Sequence, residues 1–261
     1  MTVPGGTTDI PGNVVFDTAS HITVQGCRFT RLGAVALEFR GDGVANVVRD
    51  SSIDDVSGGG IVIGSGARGH RVENTHIYHI GQEYHGSPAI LISGTTDTVV
   101  AHNQINDVPH AGIVIYEGRG AQVLNNLVHD TMRVLADGGG IYLSGAQGTS
   151  YANGALIRGN VVRDTHTPYN FGLYTDYGAA WVTVVGNLVH RADKPVVLNV
   201  SPPMAHVAFL GNVWDADPGD PPDGVTLADN TILAERALDE DQTVADIVSG
   251  AGLLDGGSVP G

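Results

Sequence analysis

Cysteine is almost absent from this chain. Its 261 residues contain one, Cys27, so no internal disulfide can form, and a lone thiol reads as a core or turn residue rather than a nucleophile. Lysine is as scarce: Lys194 stands alone, and 28 acidic against 13 basic residues leave a formal charge of −15. Nucleic-acid phosphates need clusters of Lys and Arg, so nucleic acid is excluded as a partner class. A polyanionic glycan is disfavoured unless a cation such as calcium bridges it. No apolar run reaches membrane length, so no membrane partner is expected. The opening MTVPGGTTD has neither a basic n-region nor an apolar h-region and does not read as a signal peptide. A mature secreted or periplasmic bacterial protein fits best, with the cytoplasm still open. Long helical periods are missing as well, which leaves β structure.

What is present is a repeat. The 37 glycines follow no G-X-Y period, and 42% of residues are hydrophobic, enough for a continuous core. A short unit recurs as VQGCRF, VRDSSI, VENTHI, VAHNQI, VLNNLV, IRGNVV, VVGNLV and FLGNVW. Its Asn-like position falls on Cys27, Ser51, Thr75, Asn103, Asn126, Asn160, Asn187 and Asn212. A second column follows each first one, as in GGIVIGS, PAILISG, AGIVIYE, GGIYLSG and FGLYTDY. Two short strands every ~25 residues, in fixed order, describe a coil of a parallel β-helix. About eight coils over 13–230 would stand about 38 Å tall at ~4.8 Å per coil. Alternate residues of the second column point inward: Ile61 and Ile63, Ile90 and Ile92, Ile113 and Ile115, Ile141 and Leu143. The Asn column reads as structural, because Asn tolerates the left-handed region and satisfies turn backbone. After a Pro/Asp/Gly-rich break at 215–223, TVADIVSGAGLL has helical spacing and predicts a short C-terminal helix capping the open end, within 231–261. The segment 1–12 is too short and Gly/Pro-rich to cap the other end. The expected architecture is one all-β domain over 1–261, a single-stranded right-handed parallel β-helix.

The runs HIYHIGQEYHGSPAILISG, VAHNQINDVPHAGIVI, ADGGGIYLSG and GLYTDYGAAWVTVVGN resemble right-handed parallel β-helix proteins of the pectate-lyase-like superfamily. More narrowly, they are similar to β-helix glycoside hydrolases of the family 141 type over roughly 20–215. In those, an acidic residue precedes a G-[AG]-I-Y strand and the next coil carries a Y-x-D-[DN]-G turn. The resemblance implies glycosidic cleavage by carboxylates and places Asp137 and Asp176 at the two acidic positions. The second acidic or amide position of the turn is Tyr177 here.

Glycoside hydrolysis needs one carboxylic acid to protonate the leaving oxygen and one carboxylate as base or nucleophile. Asp176 extends an outward column with Tyr116, Ser144 and Asn199. Asp137 lies before its strand, and a straight strand would hold it ~23 Å from Asp176. The pair therefore requires a sharp bend at 138–140, or a fold-back of the 130–137 loop. Glu117, one position further on and two coils below, forms a competing pair with Asp176. Tyr142, Tyr174 and Tyr116 are expected to stack outward as an aromatic face for a sugar. His110, His85 and Tyr177 sit where they could line the same groove. No His/Asp spacing forms a convincing ligand set, so neither metal nor cofactor is expected, calcium being the one allowance. An oligo- or polysaccharide is the expected partner; oligomeric state stays open. Two alternatives remain: a polysaccharide lyase or uronate epimerase, which calcium would support, and a non-catalytic carbohydrate-binding solenoid.

Overall fold

The computed structural model describes residues 10–254. The ends of the expected domain and cap, 1–9 and 255–261, lie outside the described residues. The chain winds through about eight turns of a parallel β-solenoid. Each turn has three faces rather than the two strands expected from the repeat, because the Asn-like position cuts the first column in two. In one turn these strands are Arg71–Glu73 on the second face, His76–Ile80 on the third and Ile90–Ser93 on the first. Each pairs in parallel with its equivalent in the next turn, Val99–Ala101, Gln104–Asn106 and Ile113–Tyr116.

The cut has a backbone cause. The residue just before the Asn-like position is left-handed in every turn, from Gly26 and Asp50 through Asn74, His102 and Asn125 to Gly211 and Asp229, with φ between 45° and 66°. The sequence expectation put that conformation on the Asn itself. The Asn instead points inward and builds a ladder. The Asn103 amide donates to Asn126 Oδ1 at 2.9 Å, and the same bond runs Asn126–Asn160, Asn160–Asn187, Asn187–Asn212 and Asn212–Asn230. Each Oδ1 also accepts the backbone N–H of the preceding rung, as Asn160 does from Asn126 at 2.9 Å. Each amide donates a second bond to a carbonyl of the preceding turn, as Asn160 does to Val123. Buried polar groups are thus satisfied along the whole stack.

The core is the expected aliphatic ladder. Ile61, Ile90, Ile113, Ile141 and Leu173 stand in register and are fully buried. The C-terminal helix forms over Gln242–Gly250, with Asp241 as its N-cap accepting the Val244 N–H at 3.0 Å. It packs on the flank of the solenoid, against Leu127, Val161, Leu188 and Val213, rather than squarely across the end. Those four are outward residues of the third face, where earlier turns carry Arg28, Ser52, His76 and Gln104. The switch from polar to apolar at those positions is what seats the helix. The chain then runs back along that flank, where the Leu254 N–H reaches Asn74 Oδ1 at 2.8 Å. Among the described residues no helix is long and apolar enough to cross a membrane.

Candidate active site

The first face carries two outward columns side by side. One runs Val114–Tyr142–Tyr174, the other Tyr116–Ser144–Asp176. The tyrosine rings meet edge to face, Tyr116 with Tyr142 at 5.9 Å and Tyr142 with Tyr174 at 5.0 Å. The Tyr142 hydroxyl donates to Asp176 Oδ2 at 2.8 Å, and the Tyr177 N–H donates to Asp176 Oδ1 at 2.7 Å. The Tyr174 hydroxyl goes the other way along the face and donates to Asp137 Oδ1 at 3.2 Å. The two predicted carboxylates therefore lie on one face, joined through two neighbouring tyrosines.

Asp137 reaches that face because the strand bends where the glycines are. Ile141 points into the core, and a Cβ on Gly140 would also point inward, 2.3 Å from Val162 Cγ1. Two consecutive inward positions break the alternation of a straight strand. Gly139 lies so close to the next turn that a Cβ would sit 2.6 Å from the Phe171 carbonyl. Asp137 itself is left-handed, φ 59°, with its N–H on the Tyr169 carbonyl at 2.9 Å. The loop before it is fixed from below: the N–H of Arg133 bonds to the Val108 carbonyl, those of Val134 and Leu135 to Pro109, and that of Met132 to His110.

Burial separates the tyrosines. Tyr174 is 5% exposed, covered by Phe171 and Val197, so its ring is not an open sugar platform. Tyr142 and Tyr116 are half-buried and keep an outward edge. Burial pushes the Tyr174 phenol far above its ordinary range, reinforced by the charges of Asp176 and then Asp137. Tyr142 is pushed up the same way, by burial and then by its bond to Asp176. Both hydroxyls stay protonated and act as donors.

The expectation that His110 lines the groove is corrected by its burial, 3% exposed beneath the Asp137 corner. Its ring packs where Gly138 leaves room, since a Cβ there would sit 2.9 Å from His110 Nε2. Neither ring nitrogen has a hydrogen bond of good geometry. Desolvation lowers its pKa, partly offset by the backbone and charge of Asp137. His110 is a neutral support for the corner.

Glu117 is exposed at the corner beyond Tyr116, left-handed at φ 53°, with its side chain over Gly145. The hydroxyls of Tyr142 and Tyr174 bond to Asp176 and Asp137 instead. Tyr177 is 65% exposed on a bulge, because Ser144 pairs with Asp176 while Ala146 pairs with Ala180. His85 lies in a separate cleft with Arg133 and Asp107. Phe171, which sequence reasoning does not single out, touches Tyr174 at 4.4 Å and Tyr169 at 5.6 Å. Its signal was its place in the outward column of Gly139, at the head of FGLYTDY.

Among the described residues no group of three or more His, Cys, Asp or Glu converges as a metal site. No curated protein sequence matches the chain. Among solved structures it is similar to a glycoside hydrolase, with TM-score 0.71 and 22% identity over 94% of this chain and 40% of that one. It is also similar to the catalytic unit of a GH87 α-1,3-glucanase from Streptomyces thermodiastaticus, with TM-score 0.61 and 17% identity over 86% of this chain and 51% of that one. A tailspike protein of E. coli bacteriophage HK620, solved with a pentasaccharide, gives TM-score 0.61 and 16% identity over 88% of this chain and 45% of that one. This chain thus spans about half or less of the length of those proteins. At such identities the likeness is one of fold, and it does not single out the family 141 type. The model of the right handed beta helix region matches residues 10–154, more than half of the sequence, and the chain belongs to that right-handed β-helix family.

Proposed function

We propose that this protein hydrolyses glycosidic bonds of a neutral or weakly charged plant or microbial glycan, with Asp137 and Asp176 as its carboxylate pair. The observation that carries this is the pair of crossed bonds, Tyr174 to Asp137 and Tyr142 to Asp176. They bring two acids distant in sequence to one face and fix each one's orientation. Asp176, with a donor on each oxygen, takes the anionic role of base or nucleophile. Asp137, held by one longer bond, takes the role of acid on the leaving oxygen. Tyr116, Tyr142 and the exposed Tyr177 offer ring surface to the sugar. The names of the structural neighbours fit this reading, and a secreted protein would meet such a substrate.

Reducing-sugar release from a panel of polysaccharides and aryl glycosides tests it. Asp137→Asn and Asp176→Asn should each lower turnover by about 10²–10⁴-fold while the fold, by circular dichroism, stays unchanged. The burial of Tyr174 makes the face shallow, which favours a second reading: a solenoid that binds glycan without cleaving it. Binding without release of reducing ends, in wild type and variants alike, would select that reading.

A further inference from the structure

A cleft of about 410 Å³ opens at the corner between the third and first faces. His79, Gln82 and His85 form its lower wall, Asp107 and Pro109 its middle, Arg133 and Val134 its upper wall. Arg133 is ion-paired with Asp107, so the two charges cancel locally. His79 keeps about half of its side chain exposed, 48%, and Val134 is 51% exposed beside Pro109. The result is a ring of planar donors and acceptors around an apolar strip, with little net charge. Hydroxyl groups suit the former and the C–H face of a sugar the latter.

We infer that this cleft is an accessory subsite for a neutral sugar unit of a glycan. It rests on the proposed glycan-binding role, though not on cleavage. The site is tied to the carboxylates by one segment. Arg133 and Val134 belong to the loop that ends at Asp137, and that loop hangs on the carbonyls of Val108, Pro109 and His110. A sugar against Arg133 and Val134 therefore braces the loop that holds Asp137 in place.

The test is titration of the full chain with hexaoses of glucose, mannose, galactose and xylose, following the ring protons of His79 and His85 by NMR. A saturable shift of both is expected with at least one hexaose. His85→Ala and Gln82→Ala should each weaken that binding about 5–10-fold, the loss of one hydrogen bond or so. Asp176→Asn should leave it unchanged. A hexaose that is cleaved while both histidines stay unmoved overturns the cleft assignment and leaves the hydrolase reading standing. Histidine shifts without any cleavage support the cleft and overturn the hydrolase. If none of the hexaoses binds or is cleaved, both fall. Preference of the cleft for a galacturonate hexaose over all four neutral ones overturns the assignment to a neutral sugar.

Discussion

Tyr142 and Tyr174 stand directly opposite one another on adjacent turns, yet their hydroxyls serve different acids, Asp176 and Asp137. Stacking alone would set equivalent side chains ~4.8 Å apart and pointing the same way. The edge-to-face angle of 81° lets one ring reach forward along the face and the other back.

Removing one hydroxyl should therefore disable one acid. In Tyr142→Phe the charge-assisted bond to Asp176 is lost, and kcat/KM on the cleaved glycan should fall about 10–100-fold, from ~1.5–3 kcal/mol. Thermal stability should fall by no more than that bond is worth, because the ring stays in place. An unchanged rate would remove Tyr142 from the site.

The glycines at the bend admit no side chain. Gly140→Ala would press a methyl into Val162 Cγ1, and overpacking of this kind costs ~1–3 kcal/mol. Activity should fall more than stability accounts for, because the bend carries Asp137. Comparing kcat with the unfolding midpoint, with Gly60→Ala as the equivalent change three turns further from the acids, separates the two effects. Equal kcat losses in both variants would argue against the bend.

Within the Asn ladder, Asn160→Ala removes an acceptor of two bonds and a donor of others, leaving the Asn126 backbone N–H and one hydrogen of its amide without their acceptor while the amide keeps its bond to Val100. Each orphaned buried group costs ~1–3 kcal/mol. A loss of ~3–5 kcal/mol should lower Tm by about 6–20 °C, from ~2–4 °C per kcal/mol at this size. Asn230→Ala at the last rung should cost less, and calorimetry on both variants checks the order.

His110 contributes to the pH dependence of stability. Its folded pKa lies below the ordinary 6.5, from desolvation. Below pH ~6.5 the unfolded chain takes up a proton that the folded chain refuses, so stability is complete above that pH and declines as pH falls. His70, His76 and His190 are shifted the same way, each chiefly by burial. Denaturant unfolding between pH 7.5 and 5 should show this decline, and His110→Phe should make it shallower. An identical slope would mean that folded and unfolded chains protonate His110 alike, against the burial argument.

Much of the architecture was legible because it is periodic. Ile61, Ile90, Ile113 and Ile141 announce a ladder, and the Asn column announces its own stacking. The third face was hidden because a left-handed residue such as Asn74 or His102 splits one apolar run into two strands without changing its composition. The helix was visible in its spacing, but its seat on Leu127, Val161, Leu188 and Val213 lies in a change of outward residue type spread over four turns. Asp137 and Asp176 came from motif resemblance, and only the inward turn of Gly140 brings them to one face. The burial of His110 and Tyr174 depends on neighbours, Gly138 for one and Phe171 with Val197 for the other, that no local pattern reveals.

The most direct measurement is a crystal structure of Asp176→Asn with an oligosaccharide drawn from the panel. The account predicts a glycosidic oxygen within hydrogen-bonding reach of Asp137, ~2.6–3.2 Å, and the anomeric carbon turned toward position 176. A sugar chain lying on the second or third face, with Asp137 and Asp176 left in solvent, would contradict it.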